Sequence, residues 1–171
     1  MLSFEDQQRF NHPAAHVLAH YCDPDFLLGK HRALGHQDVV LLEHRVRNEA
    51  IRLRLSFMHS LDDSLPEFAR RFMKKRTQVV QTFEWNMADR SGRILIDAKG
   101  APMRIEGQTR LADCAGGCMA SVLWELHCPV PLLGSRLEAL LQDTMQRMTR
   151  EDQAVTERLL SDTSRASTRA A

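Results

Sequence analysis

Apolar and polar residues alternate with a period of two through most of the centre of the chain. The alternation is clearest in six stretches: 40–46, 51–57, 79–87, 94–98, 103–111 and 118–128. This period is typical of β-strands that bury one face, because successive side chains point to opposite sides of a strand. Leu2, Phe4 and Phe10 suit one face of a further strand at 2–10. Since most connections have the length of hairpins, we predict a seven-stranded antiparallel sheet.

Two short helices are predicted between the first strand and the second. Pro13 suits the first turn of a helix, where an amide proton has no intrahelical partner, and apolar residues recur at helical spacing over 14–21. Asp23 followed by Pro24 is a typical N-cap and first helical residue, and this second helix closes at about Gly35. The chain therefore forms one strand and two helices before the six alternating stretches begin.

The alternation is interrupted between residues 59 and 76. Turn-forming residues predict a loop at Asp62, Asp63, Ser64 and Pro66. Apolar residues predict a turn of helix at Phe68, Phe72 and Met73. The segment also holds the one dense basic cluster of the sequence: Arg70, Arg71, Lys74, Lys75 and Arg76. A cluster of this kind is usually a solvated surface, and contact with a partner protein or a lipid headgroup is the alternative.

The period changes to 3.6 after Pro129 and Pro131, which end the last strand. From Leu132 to about Leu160 one face of a long helix is apolar, and Arg, Glu, Asp and Gln occupy the other face. Its stripe comprises Leu133, Leu137, Leu140, Leu141, Met145, Met148, Val155 and Leu159. Residues 161–171 are rich in Ser, Thr, Ala and Arg, so we predict a disordered tail after a single domain at 1–160.

These elements predict an α+β fold in which a curved antiparallel sheet wraps around the long C-terminal helix. The sheet has one apolar face and the helix one apolar stripe, and each buries that surface most simply against the other. A sheet of seven strands twists and tends to curl around what it covers. Large apolar residues on the concave side can then line a pocket. Gly107, inside a strand, is expected to mark a bulge or kink that bends the sheet.

Two segments carry a resemblance to a known superfamily. The sequence CPVPLLGSRLEALL at 128–141 resembles the strand end, the Pro-containing corner and the Gly before the gripping helix in one bacterial branch of the START-like, Bet v 1-like (SRPBCC) superfamily. The sequence YCDPDFLLG at 21–29 resembles the superfamily's Asp-Pro-aromatic step after the first helix. The order of elements matches over 2–160. The resemblance implies a helix-grip fold and a cavity for lipids, sterols, isoprenoids or polyketide-like aromatics, in carriers, in aromatase/cyclases or in proteins that work through partners.

The predicted concave face supplies the candidate ligand-binding residues. From the strands these are Phe57, Phe83, Trp85, Ile105, Leu111, Val122, Trp124 and Leu126, and from the helix Leu137, Leu141, Met145 and Met148. The polar candidates, which could orient a ligand's head group or act as weak acids or bases, are His44, Gln81 and Thr109. The alternatives stay open, since an apolar stripe is often plain core and a buried polar group is usually satisfied by a hydrogen bond.

Composition and charge exclude several classes of function. The 171 residues fit one domain, and a net charge of +1 gives no general attraction to nucleic acid or to anionic membranes. The N-terminus lacks the pattern of a signal peptide, and no apolar run approaches the ~18–20 residues that span a bilayer. We therefore expect a cytoplasmic protein with no transmembrane segment and with reduced cysteines.

Three groups of residues could carry chemistry. His12, His16 and His20 share a helix face at a spacing that can bind metal, but no acidic ligand accompanies them, so we predict no metal site. Cys114 and Cys118 flank a turn and could approach disulfide distance under oxidation, although thiols with no role are the more common case. Acidic residues fall on the predicted convex face: Glu84, Asp97, Glu106 and Glu125.

These observations favour a binder or carrier of a hydrophobic small molecule that uses no cofactor. The sequence contains no nucleophile elbow, P-loop or dinucleotide fingerprint and no evident catalytic set. A cyclase or hydrolase acting in the same cavity is the first alternative, and a protein-interaction module is the second. The sequence predicts no nucleic-acid partner and leaves a homodimer open.

Overall fold

A computed structural model describes residues 1–61 and 65–170 of the chain. The strands are β1 (Leu2–Phe10), β2 (Gln37–Arg47), β3 (Ala50–Ser60), β4 (Arg76–Asn86), β5 (Ser91–Ala98), β6 (Arg104–Cys114) and β7 (Gly117–His127). The helices are α1 (Ala14–Tyr21), α2 (Pro24–Ala33), α3 (Glu67–Arg70) and α4 (Gly134–Ala170). The loop predicted at Asp62, Asp63 and Ser64 lies outside the described residues.

One antiparallel sheet of seven strands forms the body of the molecule, in the order β1-β7-β6-β5-β4-β3-β2. Consecutive strands pair as hairpins from β2 to β7, and β1 joins the far edge by pairing with β7. The period of two sets which face is buried: Leu53 and Leu55 of β3 are fully buried and alternate with half-buried arginines. The predicted α+β fold, a curved sheet with a long C-terminal helix and two short helices after the first strand, is confirmed.

The two short helices begin where the sequence places them. The Asp23 side chain accepts a hydrogen bond from the backbone N–H of Asp25 at 3.0 Å, and Pro24 occupies the first helical position. Gly35 follows the end of α2 with φ of +83°, a left-handed conformation that glycine adopts without steric cost. These caps fix the direction in which α2 presents Lys30 and His31, both buried, to the interior.

Gly107 does not mark the predicted bulge, because β6 keeps an unbroken register through it, pairing with Ile94 and Trp124. A Cβ atom at this position would lie 2.7 Å from Cζ3 of Trp124. Gly92 has the same relation to its cross-strand partner Trp85, with a Cβ 2.7 Å from Cε3 of that ring. Each glycine therefore leaves room for an indole ring to lie over the sheet.

Helix α4 lies along the concave face and closes the molecule. Leu141, Met145 and Leu160 are buried in the main core, while Leu137 belongs to a smaller cluster under α3. The structure continues the helix through 161–170, where the sequence predicts a disordered tail. Over 134–169 Leu160 is the last buried residue of the helix, and beyond it Ser and Thr hydroxyls donate hydrogen bonds to carbonyls four residues earlier. The domain boundary at residue 160 stays a prediction.

Candidate functional site

A cavity of about 280 Å³ lies between the concave face of the sheet and α4. The central strands and the middle of α4 form its apolar walls, and α1 and α2 close one end. Trp85 and Trp124 lie on the sheet wall, and Trp85 stacks on Tyr21 of α1 with ring centroids 6.0 Å apart. The chain therefore forms a mostly apolar cavity with aromatic walls.

Most of the candidate residues from the sequence line this cavity. They are Phe57, Gln81, Phe83, Trp85, Ile105, Thr109, Val122, Trp124, Leu141, Met145 and Met148. The alternation of side chains along β4, β6 and β7 accounts for the agreement, because it places every second residue on the concave face. The role of these residues as ligand contacts stays a prediction.

Four candidates lie elsewhere. Leu111, Leu126 and Leu137 are buried in the core and do not line the cavity. His44 pairs directly with the buried Leu53 and so shares its face, but it lies on the edge strand β2, is exposed and does not line the cavity.

Sequence patterns did not identify the polar end of the cavity. Its side chains come from separate elements: Asp6, Gln8, Tyr21, Lys30, His31, His36, His59, Thr149, Glu151 and Asp152. No short motif connects them. The only local signal is the Lys30–His31 pair inside an otherwise amphipathic helix, where a buried cation requires a partner.

Lys30 and Asp152 form a buried ion pair at this end. The Lys30 Nζ lies 2.9 Å from Asp152 Oδ2, and the two side chains are 7% and 26% exposed. Asp152 Oδ1 also accepts hydrogen bonds from Gln8 of β1 and Thr156 of α4. Burial raises the pKa of Asp152, but Lys30 and Gln8 outweigh that effect and the net pKa is lowered. The pair connects α2, β1 and α4 and keeps the carboxylate ionised.

Three histidines form a chain beside the ion pair. The Nδ1 atoms of His31 and His36 are 2.9 Å apart, and His36 Nε2 is 3.3 Å from His59 Nδ1. The His36 ring stacks on Phe57, with centroids 4.3 Å apart and planes 16° apart. His31 is buried, whereas His36 and His59 are half-buried. The chain of rings thus extends from the interior of the cavity towards the surface.

Burial keeps these histidines neutral. It lowers the pKa of His31 to about 3, with Lys30 and His36 lowering it further and Asp152 opposing them. It lowers the pKa of His36 to about 4, with His59 adding to the effect. The pKa of His59 is also lowered by burial, against the opposing influence of Glu151. At neutral pH each ring therefore has one protonated and one bare nitrogen.

We expect acid to destabilise the fold through His31 and His36. Between about pH 6.5 and about pH 4 these two histidines are protonated in the unfolded state but stay neutral in the folded state. The unfolded state then binds more protons, so the free energy of unfolding falls as pH falls, by at most ~1.4 kcal/mol per pH unit for each histidine. Urea denaturation across this window measures the slope. His31→Phe should flatten it and His44→Phe, at an exposed site, should not; equal slopes for all three proteins would contradict the assignment.

Three buried nitrogen atoms around the cavity have no hydrogen-bond partner among the described residues. They are Nε1 of Trp85, Nε1 of Trp124 and Nε2 of His31. An indole nitrogen can only donate a hydrogen bond. Leaving a buried donor unsatisfied costs about 1–3 kcal/mol. The rings that carry the two indole donors line the cavity, while the donor nitrogens themselves are buried in its wall.

The other residues with candidate chemistry lie outside the cavity. His12 pairs with Glu157 at 3.1 Å, and His20 Nδ1 lies 2.8 Å from the carbonyl of His16. In the described ranges no group of three His, Cys, Asp or Glu side chains could hold a metal ion. All four cysteines are free, and only Cys114 is exposed.

Several acidic residues of the convex face and two members of the basic cluster have local partners. Glu84 pairs with Arg52, and Glu106 Oε2 lies 2.7 Å from Arg93. Arg76 reaches Asp38 at 3.3 Å and Arg70 donates to the Leu65 carbonyl. Among the described residues no helix is long and apolar enough to cross a membrane.

Comparisons with known proteins agree with this geometry. A family model described as "Protein of unknown function (DUF2505)" matches residues 5–160. A search of curated proteins finds no match.

Three solved structures share the architecture. A protein from Thermus thermophilus, TTHA0849, is 16% identical, with a TM-score of 0.68 over 95% of this chain and 99% of that chain. Ara h 8.0201 is 16% identical, with a TM-score of 0.64 over 94% of this chain and 98% of that chain. The Zhui aromatase/cyclase from Streptomyces sp. R1128 is 12% identical, with a TM-score of 0.61 over 96% of this chain and 94% of that chain. At such identities the likeness shows the fold alone, which is the helix-grip fold.

Proposed function

Because the chain belongs to the DUF2505 family, whose description assigns no activity, we propose from its geometry that it binds or transports a hydrophobic small molecule in the internal cavity. The candidate classes are lipids, isoprenoids, sterol-like molecules and polyketide-like aromatics. One observation carries the proposal: an apolar cavity of about 280 Å³ whose tryptophan N–H donors have no partner among the described residues.

The open volume is the first argument for a ligand. Protein interiors are packed as densely as organic crystals, and few of their voids exceed the size of a water molecule. Side chains around an empty apolar space lose dispersion contacts that a filled core would make. A bound apolar molecule restores those contacts, and its own transfer from water is favourable.

The unpartnered donors narrow the ligand chemistry. A pure hydrocarbon leaves the N–H groups of Trp85 and Trp124 unsatisfied, whereas a carbonyl or ether oxygen accepts from them. An engineered cavity of about 150 Å³ holds benzene, so the larger volume here suits a molecule of roughly two fused rings or a chain of similar bulk. We therefore favour an oxygenated apolar ligand with a compact ring system.

Two naphthalenes of matched shape test this preference. Calorimetry should show that 2-acetylnaphthalene, which carries a carbonyl, binds about fivefold more tightly than 2-isopropylnaphthalene, since one net hydrogen bond contributes ~1 kcal/mol. Trp85→Phe and Trp124→Phe each remove one donor and keep an aromatic ring, so the preference should shrink towards equal affinity in at least one of them. Wild-type protein that binds neither compound would refute the proposed function. A preference that survives in Trp85→Phe and Trp124→Phe alike would refute the role of the indole donors.

A further inference from the structure

We propose that His31, His36 and His59 form a proton relay through which the chain acts as a general base on a molecule held in the cavity. This activity goes beyond binding and rests on the proposed function. The substrate class is an apolar molecule with an acidic proton, either a phenolic O–H or a C–H next to a carbonyl group.

The contacts define a path with two ends. His31 lies on the cavity wall, its Nδ1 is 2.9 Å from His36, and its Nε2 is buried without a partner. His36 uses its two nitrogens for its two neighbours, with His59 at 3.3 Å. His59 is half-buried, so its remaining nitrogen is the outer end of the path. The unpartnered Nε2 of His31 is the inner end.

Neutral rings in this arrangement have two matched sets of tautomers. In the first, Nδ1–H of His31 donates to His36 Nδ1, Nε2–H of His36 donates to His59 Nδ1, and His31 Nε2 is bare. In the second, both hydrogen bonds run the opposite way, and the proton of His31 is on Nε2. Converting the first set into the second brings one proton in at His31 and releases one at His59, and every ring stays neutral.

The charged surroundings explain why a relay is needed. The charged groups that act on His31 are Lys30 of α2 and Asp152 of α4, which pair with each other, and Tyr21 of α1 lines the same cavity. A lone buried imidazole that took a proton there would become a cation next to a cation, and burial opposes that charge. When the proton passes along the three histidines to solvent, no positive charge stays on His31. Glu151 of α4 lies near the outer end and favours positive charge on His59 only.

The step balances as a simple proton transfer. The bound molecule loses its proton to His31 Nε2, while His31 Nδ1–H passes to His36 Nδ1. The Nε2–H of His36 passes to His59 Nδ1, and His59 releases its Nε2 proton to water. The products are a phenolate or enolate in the cavity, the second set of tautomers, and one hydronium ion in solvent. In this proposal the unpartnered indole N–H groups of Trp85 and Trp124 donate to the oxygen on which charge develops.

The photoacid 2-naphthol tests the relay directly. Its two-ring size suits the cavity, and its emission differs between naphthol and naphtholate, so the ratio reports a proton acceptor beside the bound probe. The full chain is saturated with 2-naphthol and excited to the red of tryptophan absorption. We expect naphtholate emission from wild type, its loss in His31→Phe, and a ratio about tenfold lower in His36→Phe and in His59→Phe, equivalent to about one pKa unit of basicity. His44→Phe is the matched control at an exposed position and should leave the ratio unchanged.

The variants separate a relay from a single base. If His31 acted alone, removing His36 would leave its basicity unchanged or increase it, since His36 lowers the pKa of His31. An equal or higher ratio in both His36→Phe and His59→Phe would therefore overturn the relay, as would full naphtholate emission from His31→Phe. His59→Phe changes only the outer ring, so its result stands if His36→Phe is poorly folded. Binding of 2-naphthol without naphtholate emission overturns the relay but leaves the proposed function intact, and failure of 2-naphthol to bind contradicts both.

Discussion

Asp152→Asn is expected to lower the free energy of unfolding by about 3 kcal/mol, the lower end of the range for removing one partner of a buried ion pair. Asn keeps the shape of the side chain and can still meet Gln8 and Thr156, but it leaves the Lys30 ammonium, 7% exposed, without a counter-charge. The lower end applies because Asp152 is 26% exposed and water can reach the site. For a chain of this length the loss corresponds to a melting temperature lower by roughly 10 °C.

Asp143→Asn is the matched control, because Asp143 is exposed on the same helix. It should change the free energy of unfolding by no more than a few tenths of a kcal/mol, and the melting temperature should barely move. The double variant Lys30→Met with Asp152→Leu replaces both charges by apolar groups and should recover much of the stability. If Asp152→Asn has the same melting temperature as Asp143→Asn, the ion pair does not stabilise the packing of α4 on α2 and β1. The polar end of the cavity would then lack the support described above.

Filling the cavity is expected to abolish ligand binding while the fold survives. Ala98 and Val122 line opposite parts of the sheet wall, and Ala98→Phe with Val122→Phe adds about as much hydrocarbon as a two-ring ligand contains. We expect the affinity for 2-acetylnaphthalene to fall at least about 100-fold, or ~2.7 kcal/mol. Overpacking costs typically ~1–3 kcal/mol, and contacts that fill the void offset part of that cost.

The same two substitutions at exposed positions provide the control. Ala112 of β6 and Val46 of β2 are exposed, so Ala112→Phe with Val46→Phe should leave affinity unchanged. Calorimetry measures affinity, and urea denaturation verifies folding in each case. A filled variant that is folded and still binds with wild-type affinity would show that the naphthalene sits elsewhere.

The architecture could be predicted because its signals are local. The stretch 51–57 alternates apolar and charged residues, and it became β3 with Leu53 and Leu55 buried. Asp23 and Pro24 started a helix where the cap chemistry required one. The prediction failed at His44, which shares a face with Leu53 but lies exposed on the edge strand β2, outside the cavity. A bulge at Gly107 was also wrong, because β6 keeps its register there and the missing side chain accommodates Trp124.

The polar end of the cavity could not be predicted because tertiary packing alone creates it. Lys30 and Asp152 lie on helices from opposite ends of the chain, and His59 reaches His36 only through the pairing of β2 with β3. No spacing in the sequence relates these residues. Periodicity identifies which face of an element is apolar. The role of a polar residue on that face depends on its partners across the core, which come from distant parts of the sequence.

Native mass spectrometry of freshly purified wild type and of the filled variant Ala98→Phe/Val122→Phe tests the central claim most directly. We predict that wild type has an excess mass from a small apolar molecule, which organic solvent extracts, and that the filled variant has the mass of the bare chain. Wild type at its bare mass that also takes up neither naphthalene ligand would contradict the claim that this cavity is a binding site.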